Sequence, residues 1–462
     1  MKCTWPPLPV PICAFAGALL LAAVATSRPA GDDKRASKAP GANTRGEVFE
    51  WKSEGGIPFE YFVPKGYDSK AGANLTLVLH GNGLDHRWTF WNHPAGQFRP
   101  DDIVVSLEGP DFHQGTKAYE FLDSREACAK VRDVIEELKK TFKVRATFLY
   151  GHSQGSFFVF RFAGEFPDEV NGVVGHAGAL WASSKLAKSG HRQAIGFLHG
   201  TDDANVRWWQ SADGRKAYRE AGYPHVHLRT LWNHPHAPVW QQANNQLAWC
   251  EGMTSADPAR VAVAVETLSR KDVPYGVDFA ALFDVAARLE TMAGATAAQK
   301  GAATRARAAV DKVAKAVAAE IDQSLGKGKL TKVDGKPWLG LALRFLEDFD
   351  GVAACVAWSK AHASELGAIE KEAADSGREF WQQADKDRGK ALACGLDVLE
   401  KGWRQLAAPD IAARIEGWLA DDKASGSGKK EAARARAVLD AWKKGRADGF
   451  SAWEKLVKPF DV

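Results

Sequence analysis

The hydrophobic period of this chain changes once, near residue 255, and that change constrains the fold more than any other feature. Before it, short apolar runs alternate with amphipathic stretches. Residues 58–64 (PFEYFVP) alternate apolar and polar, as a half-buried strand does. Residues 75–80 (LTLVLH) and 103–107 (IVVSL) are short apolar runs closed by Gly81-Asn82-Gly83 and Gly109-Pro110, which predicts buried strands of a parallel sheet. Residues 124–142 place Val131, Val134, Ile135 and Leu138 on one helical face. Strand signals return at 146–150, 170–174, 194–198 and 225–232, and helix signals at 154–163, 213–220 and 239–250. This βαβα order predicts an α/β fold with a mostly parallel sheet and right-handed crossovers.

After residue 255 the strand period is gone. Ala-rich, charged stretches with helical spacing cover 258–270, 279–292, 303–325, 338–349, 352–363, 368–383, 389–406, 411–421 and 429–444, with loops at 326–335 and 424–428. Asp278 is a good N-cap for the second stretch. The expectation is an all-α C-terminal domain over 251–462 behind an α/β domain over 46–250. No tetratricopeptide pattern is met, and no catalytic constellation stands out in the helical half, whose single histidine is His362. It is expected to act as a scaffold or to bind a protein or cell-envelope partner.

The first 25 residues read as a Sec-type signal peptide. Lys2 is a short positive region, residues 12–24 form an apolar run too short to span a bilayer, and Ala23-Val24-Ala25 has the small-x-small form of a cleavage site. A secreted or periplasmic location follows. Residues 26–45 are polar with Gly, Pro and Lys, and are expected to be a flexible linker. Past the leader, Cys128, Cys250, Cys355 and Cys394 remain, none in a CxxC pair. An exported chain can oxidise them, and three pairings are open; each also suits a small buried hydrophobe.

Three loops of the α/β part carry chemistry. Gly151-His152-Ser153-Gln154-Gly155 is a G-x-S-x-G. With 43 glycines in 462 residues the pattern alone is weak, but it follows a strand signal (ATFLY) and opens a helix signal. That context sets Ser153 on a sharp strand-to-helix turn, as a nucleophile requires. His199-Gly200-Thr201-Asp202-Asp203 follows the strand AIGFL, and either aspartate can orient a histidine. Trp232-Asn233-His234-Pro235-His236 follows the strand HVHLRTLW. His236, farther into the loop and next to the closing helix, is preferred to His234 as general base. His225 and His227 share one strand face and are expected to be structural.

The chain order serine, acid, histidine is that of the α/β-hydrolases. Residues 46–250 resemble the esterases of that superfamily, among them feruloyl esterases, acetyl-xylan esterases and polyhydroxyalkanoate-depolymerase-like enzymes. The resemblance rests on LVLHGNG at 77–83, GHSQG at 151–155 and HGTDDANV at 199–206. The family's acid loop, HGTxDxxV, places the acid at Asp203. A glycine usually precedes the family's histidine where this chain has Pro235, so the resemblance does not choose between His234 and His236. It implies an oxyanion hole of backbone N–H groups, one from Gln154 and one from Asn82 or Gly83.

The implied activity is that of an exported serine esterase working through an acyl-enzyme on Ser153. Seven tryptophans flank the three loops and the oxyanion turn, among them Trp88, Trp181 and Trp208, which are expected to line a pocket for an apolar or aromatic acyl group, or an acylated polysaccharide or polyester. A prolyl-oligopeptidase-like peptidase and a non-catalytic hydrolase-fold scaffold are the alternatives. No HExxH, GxGxxG after a strand or GxxxxGK[ST] occurs, so neither a metal nor a nucleotide cofactor is expected. The formal net charge of +4, from 61 basic and 57 acidic residues, does not suggest a nucleic-acid partner.

Overall fold

Strand pairing decides which of these loops can meet. A computed structural model describes residues 35–41, 44–94, 96–187, 192–325, 337–384, 386–400, 408–425 and 429–461. In chain order the elements up to the histidine loop are β1 (Val48–Lys52), β2 (Pro58–Phe62), β3 (Ala73–Leu79), α1 (Trp88–Asn92), β4 (Ile103–Leu107), β5 (Asp111–His113), β6 (Ala118–Glu120), α2 (Arg125–Thr141), β7 (Val144–His152), α3 (Gln154–Glu165), β8 (Gly172–His176), β9 (Ala194–Gly200), α4 (Trp208–Glu220) and β10 (His225–Leu231). Eight strands form one sheet in the order β1-β2-β4-β3-β7-β8-β9-β10, while β5 and β6 form a separate hairpin. Within the eight-stranded sheet, among the described residues, only β1–β2 and β2–β4 are antiparallel. From β4 to β10 the strands run parallel, so the loops after β3, β7, β9 and β10 leave the same edge.

Helices cover both faces, and this is why β3 is buried along its whole length. Alternate residues of each strand enter different cores. Leu75, Leu77 and Leu79 join α2, α3 and α4 on one face, and Val78 joins α1 and the helix after β10 on the other. Helix α2 starts where Ser124 Oγ accepts from the Ala127 N–H at 2.9 Å, and it buries Val131, Val134, Ile135 and Leu138 as their spacing predicts.

The rest of the described chain is helical: α5 (Trp240–Thr254), α6 (Pro258–Leu268), α7 (Phe279–Thr291), α8 (Ala297–Leu325), α9 (Pro337–Asp348), α10 (Ala353–Ala361), α11 (Ala363–Ala384), α12 (Arg388–Glu400), α13 (Ala408–Ser425) and α14 (Lys429–Val457). Asp278 caps α7 by accepting from Ala281 N. The core beneath the α1 face does not stop at α5. It continues through Val261, Leu282, Val310, Val317, Phe345 and Trp358 to Trp453 and Phe460. A separate core gathers Phe380, Leu396, Ile415 and Trp442 from α11 to α14.

Three expectations need correction. The division at residue 250 falls inside α5, which runs to Thr254 because its outer side is buried under α6 and α7. The linker assigned to 26–45 is ordered in its described part. Ser37 pairs with Glu50, Arg45 with Val63, and Tyr61 Oη donates to the Lys38 carbonyl at 2.9 Å, so the sheet edge takes up this backbone. The helix assigned to 389–406 is described only to residue 400, and 424–425, expected in a loop, end α13. The leader at 1–25 and the loop at 326–335 lie outside the described residues. Cys128, Cys250 and Cys355 are buried thiols in no disulfide; burial pushes the Cys128 and Cys355 thiols up to about 12.

Candidate active site

Ser153 joins β7 to α3 with φ 53° and ψ −117°, a backbone region that L-residues avoid. The surroundings enforce this strain. The Ser153 N–H donates to the His176 carbonyl at the end of β8 (2.9 Å), and its own carbonyl receives the Ser156 and Phe157 N–H groups. Both flanking glycines are steric necessities. A Cβ on Gly151 would lie 2.1 Å from the Gly155 oxygen, and one on Gly155 would lie 2.5 Å from the Leu79 oxygen. Gln154 is the first residue of α3, so its N–H has no acceptor within the helix.

The turn after β3 lies against this elbow: a Cβ on Gly81 would come within 3.1 Å of the Ser153 Cβ. Leu84 N–H closes the turn on the Gly81 carbonyl (3.2 Å), with Gly83 at φ +76° in the third position, where a type II turn needs glycine. Asn82 occupies the second position and is exposed. A buried carboxylate pins the turn. Glu108 meets His80 Nε2 at 3.2 Å and His86 Nδ1 at 2.6 Å. Burial opposes its ionisation, but the bonds from His80 and His86 prevail and hold its pKa at about 2. The hairpin after β4 ties in as well, since Gln154 Nε2 donates to Glu120 Oε2 at 3.0 Å.

Asp203 follows β9 and is 1% exposed. Its Oδ1 accepts from the N–H groups of Asn205 and Val206, each at 2.9 Å. Its Oδ2 meets His236 Nδ1 at 2.6 Å, with His199 Nε2 at 3.2 Å. Burial works against the carboxylate, yet the bonds from His199 and His236 hold its pKa well below the usual range. The structure therefore brings His236 to Asp203. His234 is engaged elsewhere, with Nδ1 at 2.5 Å from Tyr275 Oη and Nε2 at 2.8 Å from the Ala237 carbonyl. Beneath His236 lies His152, ring centroids 5.0 Å apart. Burial first, and the neighbouring His236 second, push the His152 pKa down to about 3, so it packs as a neutral ring.

The tryptophans divide differently from the expectation. Trp208, expected at the pocket wall, is 6% exposed, sits in the core below α4 and donates its indole N–H to Thr230 Oγ1 at 3.0 Å, so it packs in the core. Trp88 is buried too. It stacks on His152 at 5.5 Å and packs at a tilt against Trp240 at 4.7 Å, supporting the elbow from below. Trp181 is half-buried against Phe157. Trp91 and Trp209 keep half of their surface exposed, as do Phe112 and Tyr119, which pack together on the hairpin. A cavity of about 590 Å³ opens at the amino ends of β3 and β7, lined by Gly72, Ala73, Asp101 and Arg145, away from Ser153. Among the described residues no group of three or more His, Cys, Asp or Glu side chains is placed to hold a metal ion.

His199, quoted above only as part of the acid-loop motif, and Glu108, Glu120 and Tyr275 have no role in the sequence expectation. His199 and Glu108 carried a legible signal, a polar residue closing an apolar strand. Tyr275 carried none, because its partner is 41 residues away.

The model of the alpha/beta hydrolase fold matches residues 78–283. This part of the chain has the alpha/beta hydrolase fold. Solved structures similar to the α/β-hydrolase part are distant. A ferulic acid esterase is 15% identical, over 45% of this chain and 97% of that one, at a TM-score of 0.36. A carboxylesterase from Bacillus cereus is 16% identical, over 43% and 94%, at 0.35. A thermostable esterase is 17% identical over 48% of this chain, at 0.33, and the match spans 62% of that protein's length. No curated protein matches the sequence.

Proposed function

We propose that this protein is an exported serine esterase that cleaves carboxylic esters through an acyl-enzyme on Ser153. The observation that carries the reading is the 2.6 Å bond between Asp203 and His236, at the sheet edge where the strained Ser153 turn also stands. In this reading Asp203 fixes the His236 tautomer, leaving Nε2 free to accept the Ser153 hydroxyl proton. The serine oxygen bonds to the ester carbonyl carbon, and the carbonyl oxygen takes the negative charge. The backbone N–H groups of Gln154 and Asn82 face that charge, aided by the N-terminus of α3. His236 then gives its proton to the departing alkoxide, and the acyl group stays on Ser153. Water, deprotonated by His236, releases the acid and restores the serine.

Export rests on the sequence of residues 1–25. The preference for an apolar or aromatic acyl group, or for an acylated polymer, rests on the exposed Trp91, Trp209, Phe112 and Tyr119, all in segments that follow the carboxyl ends of strands. The test is a fluorophosphonate probe followed by mass spectrometry, beside hydrolysis of p-nitrophenyl esters of graded acyl length, a feruloyl ester and a peptide anilide. Label on Ser153, turnover of esters ahead of the anilide, and loss of both in Ser153→Ala are expected. Equal ester hydrolysis by Ser153→Ala would sink the proposal.

A further inference from the structure

We infer that the helical half supplies Tyr275 as a positioning residue for the loop that carries His236. This rests on the esterase reading of the site and extends it to the segment between α6 and α7, beyond the last strand of the sheet. Tyr275 lies on the strap between α6 and α7 and holds φ +65°, a left-handed backbone that favours glycine. Buried side chains of the α/β part hold the strap there. Arg229 on β10 donates to the Tyr275 carbonyl at 2.6 Å, and Gln242 on α5 donates to the carbonyls of Pro274 (2.6 Å) and Gly276 (3.0 Å). Two residues on, buried Asp278 binds His227 at 2.9 Å and Gln246 at 2.7 Å. So many anchors on an irregular segment over-determine its conformation, as a strained functional residue requires.

The strap delivers one hydroxyl to His234. The tautomer follows from the partners: the Ala237 carbonyl only accepts, so His234 Nε2 carries the proton. Burial keeps the ring neutral, leaving Nδ1 to accept from the Tyr275 hydroxyl. The His234 carbonyl in turn accepts from the Asp202 N–H at 3.0 Å. His234 thus joins the strap, its own loop and the acid loop, and only Pro235 separates it from His236. The helical half also grips the start of this loop, where the Trp232 indole N–H donates to Asp348 at 3.2 Å.

The experiment compares the full-length parent with Tyr275→Phe, His234→Gln and His234→Ala. In Tyr275→Phe, which keeps the ring and loses one hydroxyl, kcat on an aryl ester is expected to fall about tenfold or more, since small displacements of a catalytic group are costly. KM and the thermal midpoint should stay near the parent's. Glutamine can both accept and donate, so His234→Gln should retain more kcat than His234→Ala. In the imidazole ¹⁵N spectrum, His234 should show the Nε2–H tautomer, with an Nδ1 signal that moves in Tyr275→Phe. A kcat within twofold of the parent, equal losses in the two His234 variants, or an unmoved Nδ1 signal would overturn the inference. If the parent itself takes no label at Ser153, the esterase reading fails and this role falls with it, whereas a labelled parent with an unimpaired Tyr275→Phe overturns this role alone.

Discussion

Asp203→Asn exchanges one buried oxygen for an N–H group, and the geometry around Asp203 specifies the outcome. The asparagine oxygen can keep both 2.9 Å bonds from Asn205 and Val206. Its amide nitrogen then replaces Oδ2 and points a donor at His236 Nδ1, 2.6 Å away in the parent. Two donors cannot pair, so His236 adopts the tautomer with its proton on Nε2, which can no longer take the Ser153 proton. The same exchange in an unrelated Ser-His-Asp enzyme lowers kcat about 10⁴-fold. At about 1.36 kcal/mol per decade this is roughly 5.5 kcal/mol of transition-state stabilisation. KM should move little. Folding stability should fall by about 2 kcal/mol, the scale of one charge-assisted hydrogen bond. Its pH dependence has a definite sign. A carboxyl group whose folded pKa lies below the unfolded value stabilises the fold above the unfolded pKa of about 3.9, and that stability is lost as pH falls toward the folded pKa. The stability gap between parent and variant should therefore be full at pH 6 and shrink below about pH 4. Steady-state hydrolysis of an aryl ester and urea unfolding at several pH values measure both. A variant with kcat within tenfold of the parent would refute the assignment, as would a gap that widens in acid.

Two further substitutions test the packing. Trp208→Ala should cost about 3–5 kcal/mol in urea unfolding, as a large core truncation does, while exposed Trp209→Ala should stay within about 0.5 kcal/mol; a stable Trp208→Ala protein with raised KM would restore the pocket-wall role. Glu251→Ala should cost about 3–5 kcal/mol, because Glu251 receives Arg99 (2.7 Å), Arg260 (2.6 Å) and Asn74 (2.8 Å) in a buried cluster, and its removal leaves Arg99, among the described residues, with Asp102 as its carboxylate partner. A loss under about 1 kcal/mol, against the cost of an unpaired buried charge, would show that Asp102 suffices.

The legible parts of the fold are those governed by neighbours in the chain. The strand at 103–107 has the bounds its pattern predicts, because five consecutive apolar or small residues between polar turns have no other way to be buried. β1 was missed, since Val48, Glu50 and Lys52 mix polar and apolar residues, as an edge strand with one solvated side does. The start of α4 at Trp208, rather than residue 213, follows from burial of Trp208 under the sheet, which no local helical period discloses.

The sequence by itself determined the Ser153 turn and the two-regime architecture. A glycine-flanked serine between a buried strand and a helix is a local steric problem with few solutions, and hydrophobic period is likewise a local property. Only the tertiary structure brought His236 rather than His234 to Asp203, buried Trp88 and Trp208 in the core, and set Tyr275 beside the histidine loop. The physical reason is register. β9 and β10 pair so that Gly200 lies opposite Leu231, and the loops beyond them start level with each other. That alignment brings Asp203 to a histidine 33 residues away. The continuous core behind α5 presses the strap against the same loop, and neither arrangement is written in any local stretch of residues.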